Sequence, residues 1–353
     1  MTINTGTPTL TGRLSTDTLA LSSGFNIGAA GVFTLSGATP STINGGTLTI
    51  ANTGAMLLTG AGGLLMNNGG ALSISAGGLL DFQSNASILW AGGLPIPTVA
   101  NSGTVRKSAG AGTSDIGFGV QAVSFTNLLG GTIAVQTGTL QAGSNFTSNS
   151  GTINVATGTT FATNNTSFAN NGVLSGNGTI NVGIGTVTNN GTISPGASPG
   201  ALAITGNLTM GPLGVVDIQI QAPGLSAGTH YDLLTVSGLA SLGGTLNITN
   251  LSGFVAPAGL NPQILSYGSR SGDFTATNFL GGANYTATPG ATFYQLVASG
   301  GVSSGSSSAS SSSTTSAVIN TVVSEQSRMQ QTTPNDEGEN KETKKPLAAA
   351  QCT

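Results

Sequence analysis

Few side chains in this sequence could carry out chemistry, and their spacing offers little to assemble. Gly196-Ala197-Ser198-Pro199-Gly200 matches the Gly-x-Ser-x-Gly pattern of a nucleophile elbow. That device needs the backbone N–H after the serine for its oxyanion hole, and Pro199 has none. The general base would have to be His230, the only histidine. Gly301-Val302-Ser303-Ser304-Gly305 repeats the pattern only because that stretch is built of Ser and Gly. Sugar cleavage would need two carboxyl groups converging across one bond. The acids before residue 301 are Asp17, Asp81, Asp115, Asp217, Asp232 and Asp273, and none lies one repeat of the chain from another. His230-Tyr231-Asp232 reads as a strand edge, not a metal site, and the calcium-binding Gly-Gly-x-Gly-x-Asp repeat does not occur. No catalytic, metal-binding or cofactor-binding residue is therefore assigned, and the chain is expected not to be an enzyme.

The repeat behind these residues is far more informative. Gly-Thr pairs start at Gly138, Gly158 and Gly178, with the same step each time. Alongside run Phe125, Phe146, Phe168 and Val187 at nearly the same interval, each leading into an Asn-containing turn that ends in Gly. Short β-branched segments follow, such as Thr132-Ile133-Ala134-Val135 and Thr152-Ile153-Asn154-Val155. A fixed period in this range means stacked repeats. One rung cannot bury enough apolar surface to offset the entropy of ordering it, so neighbours must cap each other's faces. The expectation is an all-β, right-handed parallel β-helix of about 20 residues per rung. The asparagines Asn127, Asn149, Asn171 and Asn190 are expected to form an amide ladder, internal or at the corner.

Composition fits such a stack. Of 353 residues 56 are Gly, and only 19 carry charge, ten of them in residues 1–301 and nine in the last 52. Thr, Ser and Asn must supply the surface polarity. With a net charge of −3 and no basic patch, nucleic acid is excluded as a partner. The pair Arg106-Lys107 reads as part of a solvated loop. Cys352 stands alone and cannot form an internal disulfide. No run of about 18 apolar residues suggests a transmembrane helix, and residues 1–24 lack the compact apolar stretch of a signal peptide.

Four regions follow. Residues 1–40 read as irregular strands or leading rungs, and 41–193 as the β-helix, interrupted at 92–120 by Pro95, Pro97 and Gly-rich sequence. Residues 194–300 continue or cap it with longer strands. Residues 301–353 form a tail: a Ser-rich linker, a short helix over 317–331 and a disordered charged end. Thr-x-Thr pairs at Thr47/Thr49, Thr186/Thr188, Thr275/Thr277 and Thr286/Thr288 suggest an ice-binding face, but such a face needs one pair per rung in register, which this spacing does not give.

The run Ile193-Ser194-Pro195-Gly196-Ala197-Ser198-Pro199-Gly200-Ala201-Leu202 resembles the Pro-Gly-x-Ser-Pro-Gly segment of autotransporter passengers and filamentous-haemagglutinin-like (two-partner secretion) exoproteins. Tyr231-Asp232-Leu233-Leu234-Thr235-Val236, Gly243-Gly244-Thr245-Leu246-Asn247-Ile248 and Gly272-Asp273-Phe274 follow in the order typical of that family. The resemblance covers roughly residues 40–300 and implies a right-handed parallel β-helix exported across a Gram-negative outer membrane. It further implies an adhesin-like protein at the cell surface or secreted, a transporter not encoded in this chain, and host or neighbouring-cell glycans or matrix as partners. Neither a two-partner secretion domain nor a translocator barrel is recognisable, which suggests a fragment or a split gene. A structural spacer and a glycan-active β-helix enzyme are the alternatives.

Overall fold

The structure is a computed structural model, and it describes residues 1–117, 122–196 and 198–299. Ala197, the Ser-rich linker, the proposed helix at 317–331, the charged end and Cys352 lie outside the described residues. Among those described there is no helix; every regular element is a strand.

The strands are arranged as a β-solenoid. Each rung contributes short strands to three successive faces, and equivalent strands on consecutive rungs pair in parallel. On the third face twelve strands stack in order of sequence, from Arg13–Thr16 through Thr132–Val135 to Ala276–Leu280. The first face runs from Thr2–Ile3 by way of Ser41–Asn44 to Thr160–Ala162, and the second from Thr9–Leu10 by way of Thr47–Ile50 to Phe168–Asn170. From Thr179–Asn189 onward a single long strand spans the first two faces, with a register shift between Asn181 and Thr186.

Why these residues form these strands follows from parity. Side chains alternate across a strand, so a four-residue segment sends two inward. Thr132-Ile133-Ala134-Val135 buries Ile133 and Val135, and Thr152-Ile153-Asn154-Val155 buries Ile153 and Val155 directly beneath them. The inward set merges into one continuous apolar core from Ile3 to Ala298. Phe125, Phe146, Phe161 and Phe168 cluster inside it, with ring centroids 5.3–5.5 Å apart for the three contacts that Phe146 makes.

The corners explain the glycines. At the turn between the second and third faces, Gly131, Gly151, Gly172 and Gly191 stack one above another. A Cβ on Gly172 would stand 1.9 Å from the Gly151 carbonyl oxygen, and one on Gly191 2.1 Å from that of Gly172. No side chain fits a gap so small, so glycine is required there by space alone.

Several sequence expectations change. The even step holds only locally, where Thr132, Thr152, Val173 and Thr192 pair in turn. Elsewhere rungs lengthen, and the chain between the paired residues Ala203 and Thr235 is half as long again. What must repeat is the inward parity, whereas corners accept insertions. Residues 1–40 carry regular rungs, with Val32–Leu35 in register between Arg13–Thr16 and Ala55–Leu58. The stretch 92–120 is not one loop either. It contains Thr98–Asn101, Thr104–Lys107 and Thr113–Ile116, all paired to neighbouring rungs, and among the described residues of this stretch the excursion around the two prolines spans 91–97. Near the end of the stack the hairpin Tyr285–Pro289/Phe293–Ala298 packs antiparallel on Gln263–Gly272.

Candidate functional site

The side chains of His230 and Asp232, the residues a nucleophile at Ser198 would need, are each engaged by backbone N–H groups. Ser198 sits in the turn before the strand Ala201–Met210. The ring Nδ1 of His230 accepts the Ser226 backbone N–H at 3.3 Å. The Asp232 carboxylate is fully buried, and both its oxygens are taken by backbone: Gly200 N–H at 2.6 Å and Gln219 N–H at 2.8 Å. Asp232 is thus a clasp between the Pro-Gly-x-Ser-Pro-Gly turn and the neighbouring rung. Burial pushes its carboxyl up to about 7, against the pull of those two N–H donors, with a further push from nearby Asp217. Asp217 is itself half-buried and accepts an N–H of Asn247 at 2.7 Å. Among the described residues no three His, Cys, Asp or Glu side chains converge as a metal site would require.

Asp81, Arg106 and Lys107 tie neighbouring rungs together. Arg106 and Lys107 lie on the strand Thr104–Lys107, not in a solvated loop. Arg106 points outward and pairs with Asp81 on the adjacent rung at 2.7 Å. Burial pushes the Asp81 carboxyl up, but hydrogen bonds from Arg106, Gln83 and Ser108, with the charge of Arg106, outweigh it and hold it below its ordinary value. Lys107 points inward and is wholly buried. Its ammonium donates to the carbonyls of Ser84 and Ala109, to Asn85 Oδ1 and to Ser114 Oγ, all at 3.0–3.3 Å. Burial lowers its pKa. Parity marks Lys107 as inward from its neighbour Val105, but a charged residue in a core is the last choice a sequence reading makes.

An amide ladder is present, one residue away from part of its expected course. Its members are Asn101, Asn127, Asn149, Asn170 and Asn189, all fully buried. Each Nδ2 donates to the next Oδ1, at 2.7, 2.6, 2.7 and 2.7 Å in order. Asn171 and Asn190, expected in the ladder, stand outside it and share one exposed hydrogen bond of 3.1 Å. The signal for the right residues was there: Phe125, Phe168 and Val187 point inward, so the residues two places on, Asn127, Asn170 and Asn189, must also.

The outer faces are left as the surface available for contact. On the first face Thr113, Thr139, Thr160 and Thr179 stack in register, continued by Ala203, Thr235 and Ser266. On the third face Thr104, Thr132, Thr152, Val173, Thr192, Val215 and Thr245 form a second column. On the second face Thr188, Thr209, Ser241 and Ser271 form a third. Over these rungs none of the columns holds a charge, although the third-face column continues below Thr104 to Leu79 and, three rungs further, to Arg13. Paired Thr-x-Thr does not recur on successive rungs: Thr47/Thr49 is followed by Ala71/Ser73. No helix among the described residues is long and apolar enough to cross a membrane. No protein-family model matches the chain, and no curated protein sequence matches it.

Proposed function

We propose that this chain is a non-enzymatic, adhesin-like exoprotein, secreted or held at a Gram-negative cell surface, whose solenoid is a rigid stalk and a multivalent contact surface. The observation that carries the reading is the set of uncharged columns, mostly Thr and Ser, kept in register along successive rungs. Equivalent hydroxyls recur about every 4.7–4.9 Å along such columns, which suits many weak contacts with glycans or matrix that add through multivalency. The engagement of Asp232 and His230 by backbone supports a non-catalytic role. Export would rely on an outer-membrane transporter encoded elsewhere. We read the coil as right-handed, the hand that twisted strands impose on parallel crossovers.

The test uses the exposed excursion at 91–97, where Leu94 is 75% accessible. An epitope placed there should be lost when intact producing cells are treated with protease while cytoplasmic markers survive, and purified protein should coat host matrix. An epitope that stays protected, with none released to the medium, would refute the assignment.

A further inference from the structure

Below Asp115 on the first face runs a second outward column: Gln141, Ala162, Asn181 and Thr205. Ala162 breaks it. With a methyl group where its neighbours carry amides, it leaves a notch between Gln141 above and Asn181 below. These two lie two rungs apart, so their backbones are separated by about 9–10 Å. Asn164 and Asn165 wall the notch from the side. Both adopt left-handed backbone, φ 49° and 62°, in a tight turn closed by the Thr166 N–H to Thr163 carbonyl hydrogen bond of 3.0 Å. The cavity is about 170 Å³, lined by Gln141, Ala162, Asn164, Asn165 and Asn181 alone.

The chemistry of that lining is narrow. Asn181 commits its Oδ1 to the Gly183 N–H at 2.9 Å, which leaves its NH₂ to donate. Gln141, Asn164 and Asn165 make no side-chain hydrogen bond to any other described residue. Four carboxamides therefore converge with unspent donors and acceptors and without a formal charge. A phosphate or carboxylate would find no cation, a metal ion would find no carboxylate in the lining, and an apolar group would find little to cover. An amide offers a donor and an acceptor side by side, which is what two adjacent hydroxyls on a ring present in return. Asp115, next above Gln141, adds a repulsion against anions; its carboxyl accepts from Ser87 Oγ at 3.4 Å.

We propose that the Ala162 notch binds one ring of a neutral sugar, held through vicinal hydroxyls by Gln141, Asn164, Asn165 and Asn181, and excludes uronic acids. This rests on the contact-surface reading and gives it one defined subsite. A site of a few neutral hydrogen bonds has a dissociation constant on the order of 1 mM.

The experiment is saturation-transfer NMR and titration of the full chain with lactose, mannotriose and chitotriose, with galacturonate as the anionic probe. At least one neutral sugar should bind and galacturonate should not. Ala162→Leu, which fills the notch, should weaken binding at least tenfold, and Asn165→Gly, which keeps the left-handed turn but removes one amide, about threefold to tenfold. Ala169→Leu, on the second face, should leave it unchanged. An unaltered β-sheet circular dichroism spectrum shows that each variant is folded, and Asn165→Gly keeps the test open should Ala162→Leu not fold. Undiminished binding by folded Ala162→Leu, tighter binding of galacturonate, or no neutral sugar bound at all would overturn the site. If the native chain binds no sugar yet coats matrix, the site alone falls; if it does neither, the contact-surface reading falls with it.

Discussion

Replacing Asn149 with alanine cuts the amide ladder at its middle. The Asn149 Oδ1 accepts from Asn127 at 2.6 Å, and its Nδ2 donates to Asn170 Oδ1 at 2.7 Å and to the Gly151 carbonyl at 3.0 Å. Each bond contributes roughly 0.5–1.5 kcal/mol net, and a buried acceptor left without a donor costs about 1–3 kcal/mol. Asn127 Nδ2 keeps the carbonyls of Gly131 and Thr152 as long contacts of 3.4 and 3.3 Å, so its loss falls at the low end. Asn170 Oδ1 loses the amide donor it takes from the ladder. Asn149→Ala should therefore destabilise by about 2–5 kcal/mol. Asn171→Ala, on the exposed side of the adjacent rung, should stay within roughly 0.5 kcal/mol. Urea unfolding gives the totals, and native-state hydrogen exchange shows whether the loss is centred on rungs 127–170, since a stacked repeat need not open as one unit. A cost for Asn149→Ala no greater than that for Asn171→Ala would refute the buried ladder that places Asn149 inside and Asn171 outside.

Three further outcomes are expected. Asp232 titrates near 7 when folded and near 3.8 when unfolded, so the native state binds the extra proton between those values. Its contribution is complete below about pH 4 and is lost as pH rises through 7, on the order of 4 kcal/mol in all; urea midpoints from pH 4 to 8 should fall, and Asp232→Asn should flatten that slope. Arg106→Ala should cost about 2 kcal/mol by leaving the buried Asp81 carboxylate without its cation, with only Gln83 and Ser108 as donors, and a double-mutant cycle with Asp81→Asn should recover at least half of it. Gly172→Ala should destabilise by about 1–3 kcal/mol, because its methyl meets the Gly151 carbonyl oxygen; a melting temperature equal to the parent's would contradict the close stacking at that corner.

The stack was legible where the sequence marks it. Between Gly131 and Gly191 the turns carry glycine against a carbonyl and asparagine in the ladder, so rungs of nearly equal length announce themselves. Residues 1–40 lack the ladder: at the depth where Asn101 and Asn127 sit, the early rungs place Ile27, Ile50 and Ile74. Their strands of two to four residues are too short for periodicity to rise above the Gly and Thr background, and only pairing reveals them. Pro95 and Pro97 marked a true excursion, but proline says nothing of how soon the rung resumes, which is at Thr98. The inward Lys107 was hidden because its four neutral acceptors are backbone and side-chain oxygens that only the coiling of the chain brings together. The Ala162 notch was illegible for a simpler reason: one alanine among many has meaning only beside Gln141 and Asn181, each a full rung away along the chain.

The amide ladder also has a direction. Every ladder bond is donated toward the higher-numbered rung, from Asn101, whose Oδ1 accepts the Gly103 N–H, to Asn189, whose last donor contacts include the Gly191 carbonyl and the Met210 sulfur. Each interior member takes one bond from the rung before and gives one to the rung after, so any interior rung presents the same two terminals. A rung is thus a cassette. Duplicating the stretch 150–170 in frame would insert an asparagine that accepts from one neighbour and donates to the next, leaving both ends of the ladder as they were. The length of the molecule can then drift by whole rungs while its core chemistry stays closed, so reach becomes a quantity that gene duplication can tune without redesigning either end.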